Sequence, residues 1–499
     1  VARQSKRAAE KFGPERVIIV SLTRAAAAAV GSKDTGIPDT NVGTLHSICL
    51  RLIGGVKLIS KGMMETWNRE HPQWSISPDV IGTSSIKLDP GMDLFSEVYQ
   101  TIDRKRHKLD EPFTSFEQEF LNAWTDWKAE LGVYDFTQLI EDAYRLRKVP
   151  DPQPMVIFAD EYQDLSRLEI RVLRLWAEEA DSLALVGDMA QSIYDFHGAS
   201  TDGLGEAAEI TLEQSYRLPR KVWEKAKEVL DRMSSKPSSY LTPRDEDGEV
   251  DYGPNVRFSS YYTEIALKNR PDETFMFIAS CGYMLKPLVA ALRADGIPYW
   301  NPYAPTEGKW NPLRMKVEGK TTTVERVLAY LLPQGWTGAE LKTWAPLFAG
   351  VYKRGGHKVI ELLRDDDTPR TVALALEDIL KPEALPFINE KDYKWMLENA
   401  SSKCVNQLQY IVPLLYKGGV TALNADPRVI VGTIHSVKGG EADNVVVFPD
   451  LSPTWWDQLQ RDGWEGRDSV LRLFYVALTR ARKRLIIGSP ATKFYLEGL

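Results

Sequence analysis

The run Val156-Ile157-Phe158-Ala159-Asp160-Glu161 constrains the fold more than any other part of the chain. Its four consecutive apolar residues leave no polar face, so a strand built from them must be covered on both sides. Parallel sheets flanked by helices meet that need. The run also carries two adjacent carboxylates to the C-terminal end of its strand, the edge at which open α/β sheets bind ligands. Further buried strands are predicted at residues 17–22, 183–186, 274–279, 428–431, 444–448 and 484–487. Helices are predicted at 2–12, 23–30 and 470–482, the first stopped by Gly13-Pro14. A short extended stretch ends at Thr44-Leu45-His46. Residues 232–256 are polar and rich in Ser, Pro, Asp and Gly, and are expected to form a linker or loop. The alternation of strand and helix implies a parallel α/β architecture.

Two stretches break that alternation. Residues 59–130 bring Trp67, Trp74, Trp124 and Trp127 among mixed charges, and residues 299–404 mix Pro-rich patches with amphipathic helices such as 323–332. The expected organisation is therefore two α/β cores, each interrupted by a mostly helical insertion. Residues 1–58 and 131–205 would form the first core, with 59–130 inserted. Residues 206–298 and 405–499 would form the second, with 299–404 inserted. A chain of 499 residues with 43% hydrophobic content can fill several such cores. Its net charge of -7 excludes a uniformly basic coat for nucleic acid, so phosphate binding would rest on local grooves. Cys49, Cys281 and Cys404 are scattered and form no disulfide or metal pattern, which points to a cytoplasmic, reducing setting. No apolar run approaches the ~20 residues of a membrane span.

At the carboxylate pair, Asp160 is placed to hold a hydrated magnesium ion. Glu161 is placed to orient and deprotonate a water attacking a γ-phosphate. A solvated acidic turn is the competing reading. The segment Leu185-Val186-Gly187-Asp188-Met189-Ala190-Gln191-Ser192-Ile193-Tyr194-Asp195-Phe196-His197-Gly198-Ala199 decides between them.

That segment resembles motif III of UvrD/Rep-type superfamily one helicases, and Asp160-Glu161-Tyr162-Gln163-Asp164 resembles their motif II. Others come in order. Ser21-Leu22-Thr23-Arg24-Ala25-Ala26 is similar to motif Ia, and Gly43-Thr44-Leu45-His46-Ser47 to motif Ib. Leu212-Glu213-Gln214-Ser215-Tyr216-Arg217 is similar to motif IV, and residues 431–441 to motif V. Residues 472–482 are similar to motif VI. The resemblance implies two RecA-like P-loop NTPase-type cores, with ATP and magnesium as cofactors. It also implies ATP-driven movement, 3′ to 5′, on single-stranded DNA with unwinding at single-strand/duplex junctions. Nucleotide would bind in a crevice between the cores.

Site roles come from the same resemblance. Gln191 would reach the γ-phosphate. Arg217 and Arg480 would act as arginine fingers, whose planar guanidinium suits a phosphoryl group bidentately. For Arg480 a surface helix arginine is the alternative. Glu441, with Gly439 beside it, would contact the nucleotide. Thr23, Thr44, His46, Tyr194, Phe196, Thr433 and His435 would contact DNA. Phe196 stands where the family usually has a base-stacking Trp, and Tyr194 can equally be core. Each histidine can equally be a structural ring bonded to a nearby carbonyl. The basic run Arg104-Lys105-Arg106-His107-Lys108 would either touch duplex DNA or form a solvated helix face.

The family's GxxxxGK(S/T) phosphate loop is missing from these residues. Glu318-Gly319-Lys320-Thr321 is no substitute, because Arg314 stands where the leading Gly belongs and no buried strand precedes it. The chain opens on Val1, inside what should be the helix after that loop, so it is expected to be an N-terminally truncated fragment that binds ATP poorly. The alternative is a catalytically inactive, helicase-like DNA-binding or scaffold subunit.

Overall fold

The computed structural model describes residues 1–21, 35–78, 94–194, 199, 210–236, 240–303, 311–314, 320–461 and 463–499. The expected helix at 23–30 lies outside them, as do Thr23, Phe196 and Gly319. The chain forms two compact units. The first is Val1–Gly248 with Leu451–Thr479 and Phe494–Leu499, and the second is Glu249–Asp450 with Arg480–Lys493.

The first unit is built on a parallel sheet of β1 (Val17–Ser21), β2 (Val42–Gly43), β3 (Val156–Asp160) and β4 (Ser182–Val186), in the order β2-β1-β3-β4. All of β1 is buried, as a strand covered on both faces must be. Register places Ser21 beside Asp160, and Asp160 beside Val186, so the strand ends line up at one edge. Helix α1 (Ala2–Phe12) ends at Gly13, whose φ of 91° no β-carbon tolerates cheaply. The stretch ending at His46 is shorter than expected. Thr44 caps helix α2 (Leu45–Ile53), so Leu45 and His46 are helical. Leu45, Ile48 and Cys49 fall on one face, and burying that face favours helix over extended chain.

The residues expected to form the first insertion pack a hydrophobic cluster of their own within the first unit. Helices α3 (Lys61–Glu70), α4 (Leu94–Lys108) and α5 (Ser115–Leu131) enclose Trp67, Trp74, Phe120, Trp124 and Trp127. Trp67 meets Trp124 edge-on at 4.9 Å, and its indole N–H donates to the Trp74 carbonyl. Each buried aromatic of this size contributes on the order of 4 kcal/mol by area. Helices α6 (Phe136–Arg145) and α7 (Arg167–Ala177) return the chain to the core. The basic run lies at the end of α4 and is only in part a solvated face. Arg106 and His107 are both buried, and Lys105 pairs with Glu117 at 2.8 Å. Arg106 binds Asp135 and Glu141, and Asp135 also accepts from Lys128 and Trp124.

The second unit carries a six-stranded parallel sheet: β5 (Glu249–Gly253), β6 (Phe275–Ala279), β7 (Tyr299–Trp300), β8 (Val429–Thr433), β9 (Ala442–Val447) and β10 (Ala481–Gly488). Their order is β7-β8-β6-β9-β10-β5. The expected linker at 232–256 supplies the edge strand β5 and a short strand, Thr242–Arg244. Its polar residues suit an edge, where Asp251 pairs with Arg484 and Glu249 with Arg270. The helix expected at 470–482 runs Gly463–Leu478, and Ala481 already belongs to β10. Capping boxes at Thr322 and Thr337 start two helices of the second insertion. Among the described residues no helix is long and apolar enough to cross a membrane.

Candidate functional site

The sheet of the first unit delivers Asp160 to its C-terminal edge, and the chain then turns sharply. Glu161 has φ 53° and ψ 41°, a left-handed backbone that a residue with a β-carbon rarely adopts. The turn leads into the short helical segment Tyr162–Asp164. Burial pushes the Asp160 carboxyl up, and the Glu161 charge adds to it. Two crowded carboxylates of this kind suit a divalent cation. A single protein carboxylate fits magnesium, which keeps waters and takes its remaining oxygens from phosphates. Among the described residues no cluster of three or more His, Cys, Asp or Glu could make an all-protein cage.

Gln163, fully buried, ties this turn to the next strand end. Its amide nitrogen donates to Glu161 Oε2 at 2.6 Å, its amide oxygen accepts from the Asp188 N–H at 3.0 Å, and its carbonyl accepts from Ser192 Oγ at 3.0 Å. Gly187 makes room for it, since a β-carbon there would stand 2.3 Å from Gln163 Oε1. Asp188 organises the following turn, accepting from Ala190 N at 3.0 Å and from Gln191 Nε2 at 2.7 Å. The Gln191 side chain is thus held back by Asp188. Sequence reasoning missed Gln163, which lies inside motif II without a role of its own there. An amide between two carboxylates is the available signal.

Tyr194 is buried, and burial pushes its hydroxyl up, with the Asp164 and Glu161 charges adding to the shift. The structure therefore places Tyr194 in the core and not on an open stacking face. Tyr216 is the reverse: beside Arg217, it is 86% exposed and offers a bare ring that sequence reasoning did not single out. Arg217 is half-buried, and its N–H donates to Ser215 Oγ.

Thr44 and Thr433 begin two matching turns. Thr44 Oγ1 accepts from Ser47 N at 3.2 Å, and Ser47 Oγ donates to the Thr44 carbonyl at 2.8 Å. Thr433 Oγ1 accepts from Ser436 N at 3.2 Å, and Ser436 Oγ donates to the Thr433 carbonyl at 2.9 Å. His46 is half-buried, 3.8 Å from Glu169, and edge-on to Phe136. Burial pulls its pKa down, outweighing the Glu169 carboxylate. His435 opens a short helical turn, His435–Val437.

In the second unit Gly439 has φ 82°, and the ring of Tyr303 lies against Gly440. Glu441 lies 3.3 Å from Arg482. Asp443 beside it is held down to about 2: burial opposes this, but bonds from Thr274, Arg482 and Lys483 prevail. Arg480 is on neither a helix nor the surface. It is 1% exposed, and Nη1 donates to the Gly440 carbonyl at 3.4 Å.

Comparison with known proteins gives two family matches. The UvrD/REP helicase N-terminal domain matches residues 6–209, and the UvrD-like helicase C-terminal domain matches residues 391–491. The chain is 26% identical over 279 residues to the ATP-dependent DNA helicase PcrA of Bacillus subtilis (strain 168), covering 49% of this chain and 37% of that protein. It is 24% identical over 353 residues to the ATP-dependent DNA helicase UvrD2 of Mycobacterium tuberculosis (strain ATCC 25618 / H37Rv), covering 66% and 46%. To PcrA of Staphylococcus aureus (strain NCTC 8325 / PS 47) it is 26% identical over 234 residues, covering 41% and 31%. The matches thus span less than half the length of these relatives.

Proposed function

We propose that this chain, which belongs to the UvrD-like superfamily one helicases, is the motor portion of an ATP-dependent DNA helicase or translocase. It would act on DNA in the cytoplasm, moving 3′ to 5′ on single strands and opening duplex at junctions. One observation carries the reading: Glu161 sits in a costly backbone conformation beside Asp160, and Gln163 couples it to the turn that carries Gln191.

The chemistry runs through these side chains. Magnesium, when bound, supplies charge neutralisation at the β- and γ-phosphates, and Asp160 is the residue that would hold it. Glu161 takes the proton of the attacking water. Gln191 exchanges its bond to Asp188 for one to the γ-phosphate, so phosphate loss is felt at the 188–192 turn and, through Gln163, back at Glu161. Arg217 and Arg480 supply positive charge as the transferred group develops its own, and Glu441 and Gly439 lie near the sugar. Thr44, His46, Thr433 and His435 face DNA phosphates. Each Thr hydroxyl accepts within its own turn and keeps its proton for a phosphate oxygen. Thr23 and Phe196 complete the proposed DNA set.

Glu161→Gln tests the reading in the protein supplied with a phosphate loop. DNA-stimulated ATP hydrolysis should fall by about 10³-fold, on the scale of other groups that act on phosphoryl transfer, while affinity for oligo-dT is kept. Near-normal hydrolysis would remove Glu161 from its role.

A further inference from the structure

We propose that His107, at the end of the first insertion's helix α4, is a positioning residue for the turn at Thr44–His46, acting through Ser166 and Glu169. The proposal rests on the reading of that turn as DNA-facing, but its structural half can be tested without DNA.

Three elements meet around the ring. His107 Nδ1 lies 2.8 Å from Ser166 Oγ, and Nε2 lies 3.2 Å from Thr137 Oγ1. Ser166 is the N-cap of α7, two residues beyond the Asp160–Asp164 motif. Its hydroxyl donates to Glu169 Oε2 at 2.8 Å, and its N–H donates to the same oxygen at 2.9 Å. A hydroxyl has one proton. Since Ser166 gives its proton to Glu169, it accepts from His107, so Nδ1 carries the hydrogen. The other carboxylate oxygen, Glu169 Oε1, faces His46 Nδ1 at 3.8 Å. On the far side, Thr137 Oγ1 donates to Asp103 of α4 itself, so by the same count it accepts from Nε2, and both ring nitrogens donate.

The chain of contacts therefore runs from the insertion to the cap of α7, and from there to the histidine of the α2 turn. His107, Ser166 and Glu169 are all buried, so each polar bond lost would leave a neighbour without a partner in low dielectric. Glu169 does double duty, as a capping-box partner and as the carboxylate beside His46. Without the His107 hydrogen Ser166 Oγ can turn away, Glu169 loses one of its two donors, and the carboxylate that lies 3.8 Å from His46 is freed to shift. The neighbouring Arg106, engaged with Asp135 and Glu141, anchors the same helix end by separate bonds.

The two ring nitrogens separate this role from simple packing. Asparagine places its amide nitrogen near the Nδ1 position, and glutamine places its own near Nε2. His107→Asn should preserve the Ser166 bond, whereas His107→Gln should lose it. Hydrogen–deuterium exchange on the free protein is expected to show wild-type protection at residues 44–50 in the Asn variant. Faster exchange there is expected in the Gln variant and in Ser166→Ala. Affinity for oligo-dT should change in step, falling about 3- to 10-fold in the latter two. Unchanged exchange at 44–50 in both His107→Gln and Ser166→Ala would overturn the proposal. So would equal loss of protection in the Asn and Gln variants, which is the mark of packing alone. Should exchange respond as expected while the unsubstituted protein fails to bind oligo-dT, the link stands and the DNA reading of the turn falls.

Discussion

The turns Gly43-Thr44-Leu45-His46-Ser47 and Gly432-Thr433-Ile434-His435-Ser436 close the same two hydrogen bonds and then diverge. In the first unit the turn runs into the nine-residue helix α2. In the second it gives a three-residue turn and then Lys438-Gly439-Gly440. The shared part is local chemistry: a strand end, a small residue, a hydroxyl that caps and a hydroxyl that bonds back. The path of the chain beyond each turn depends on side chains that only tertiary structure supplies. Leu45, Ile48 and Cys49 find a core to bury into, whereas the glycines after Val437 let the backbone reach a positive φ and let Tyr303 lie flat against it. The supports differ too. Glu169 stands beside His46, while Asn301 donates to Ser436 Oγ at 2.9 Å. Identical turns can thus be wired to different surroundings.

The hardest way to break this likeness is to add one methyl group to each glycine. A β-carbon on Gly432 would meet Asn301 Nδ2 at 2.3 Å, Ser436 Oγ at 2.6 Å and Val437 Cγ1 at 3.1 Å, whereas on Gly43 its close contact would be Ser47 Oγ at 2.5 Å. Gly432→Ala should cost about 3 kcal/mol in chemical unfolding and Gly43→Ala about 1 kcal/mol. Equal costs would mean that Asn301 yields freely and does not support the turn.

Acid should separate the two regions next. The folded pKa of His46 lies below its ordinary value, so neutral His46 favours the fold. That contribution is complete above about 6.5 and is lost as pH falls through the folded value. Asp443, at the opposite end of the second unit's strands from Thr433, is also depressed, to about 2. Its contribution, about 2 kcal/mol, is complete above the unfolded value of about 4 and disappears only as pH approaches 2. Protection of the amides of residues 44–50, taken relative to their intrinsic exchange rates, should therefore fall as pH drops below about 6.5, while that of residues 442–447 should hold until below pH 4. Simultaneous loss would deny the difference in surroundings.

The mildest test concerns the caps. Thr44→Ala removes the cap of a full helix and should cost about 1 kcal/mol, and Thr433→Ala about half that, read from thermal melts. A larger loss at Thr433 would show that its hydroxyl matters more to the second unit than its short turn implies.

Legibility in the sequence obeys the same division between local chemistry and tertiary surroundings. The apolar runs before Asp160 and Thr433 identify buried parallel strands, because a run without a polar face has few other fates. The tryptophans of residues 59–130 mark a hydrophobic cluster of their own. The basic run at 104–108 misleads because burial on a helix depends on how many sides are covered. Arg106 and His107 point in different directions, yet both are buried beneath partners from distant segments. The strand at 249–253 escapes sequence reasoning because edge strands tolerate the polar composition that otherwise marks loops. Gln163 escapes it because its importance lies in a glycine and a backbone N–H on another strand, which no spacing rule connects to it.

The left-handed backbone at Glu161 sets fold robustness against turnover at a single codon. Glycine adopts that conformation more readily, so Glu161→Gly would relieve roughly 1 kcal/mol of backbone strain while deleting both the proposed base and the carboxylate that accepts from buried Gln163.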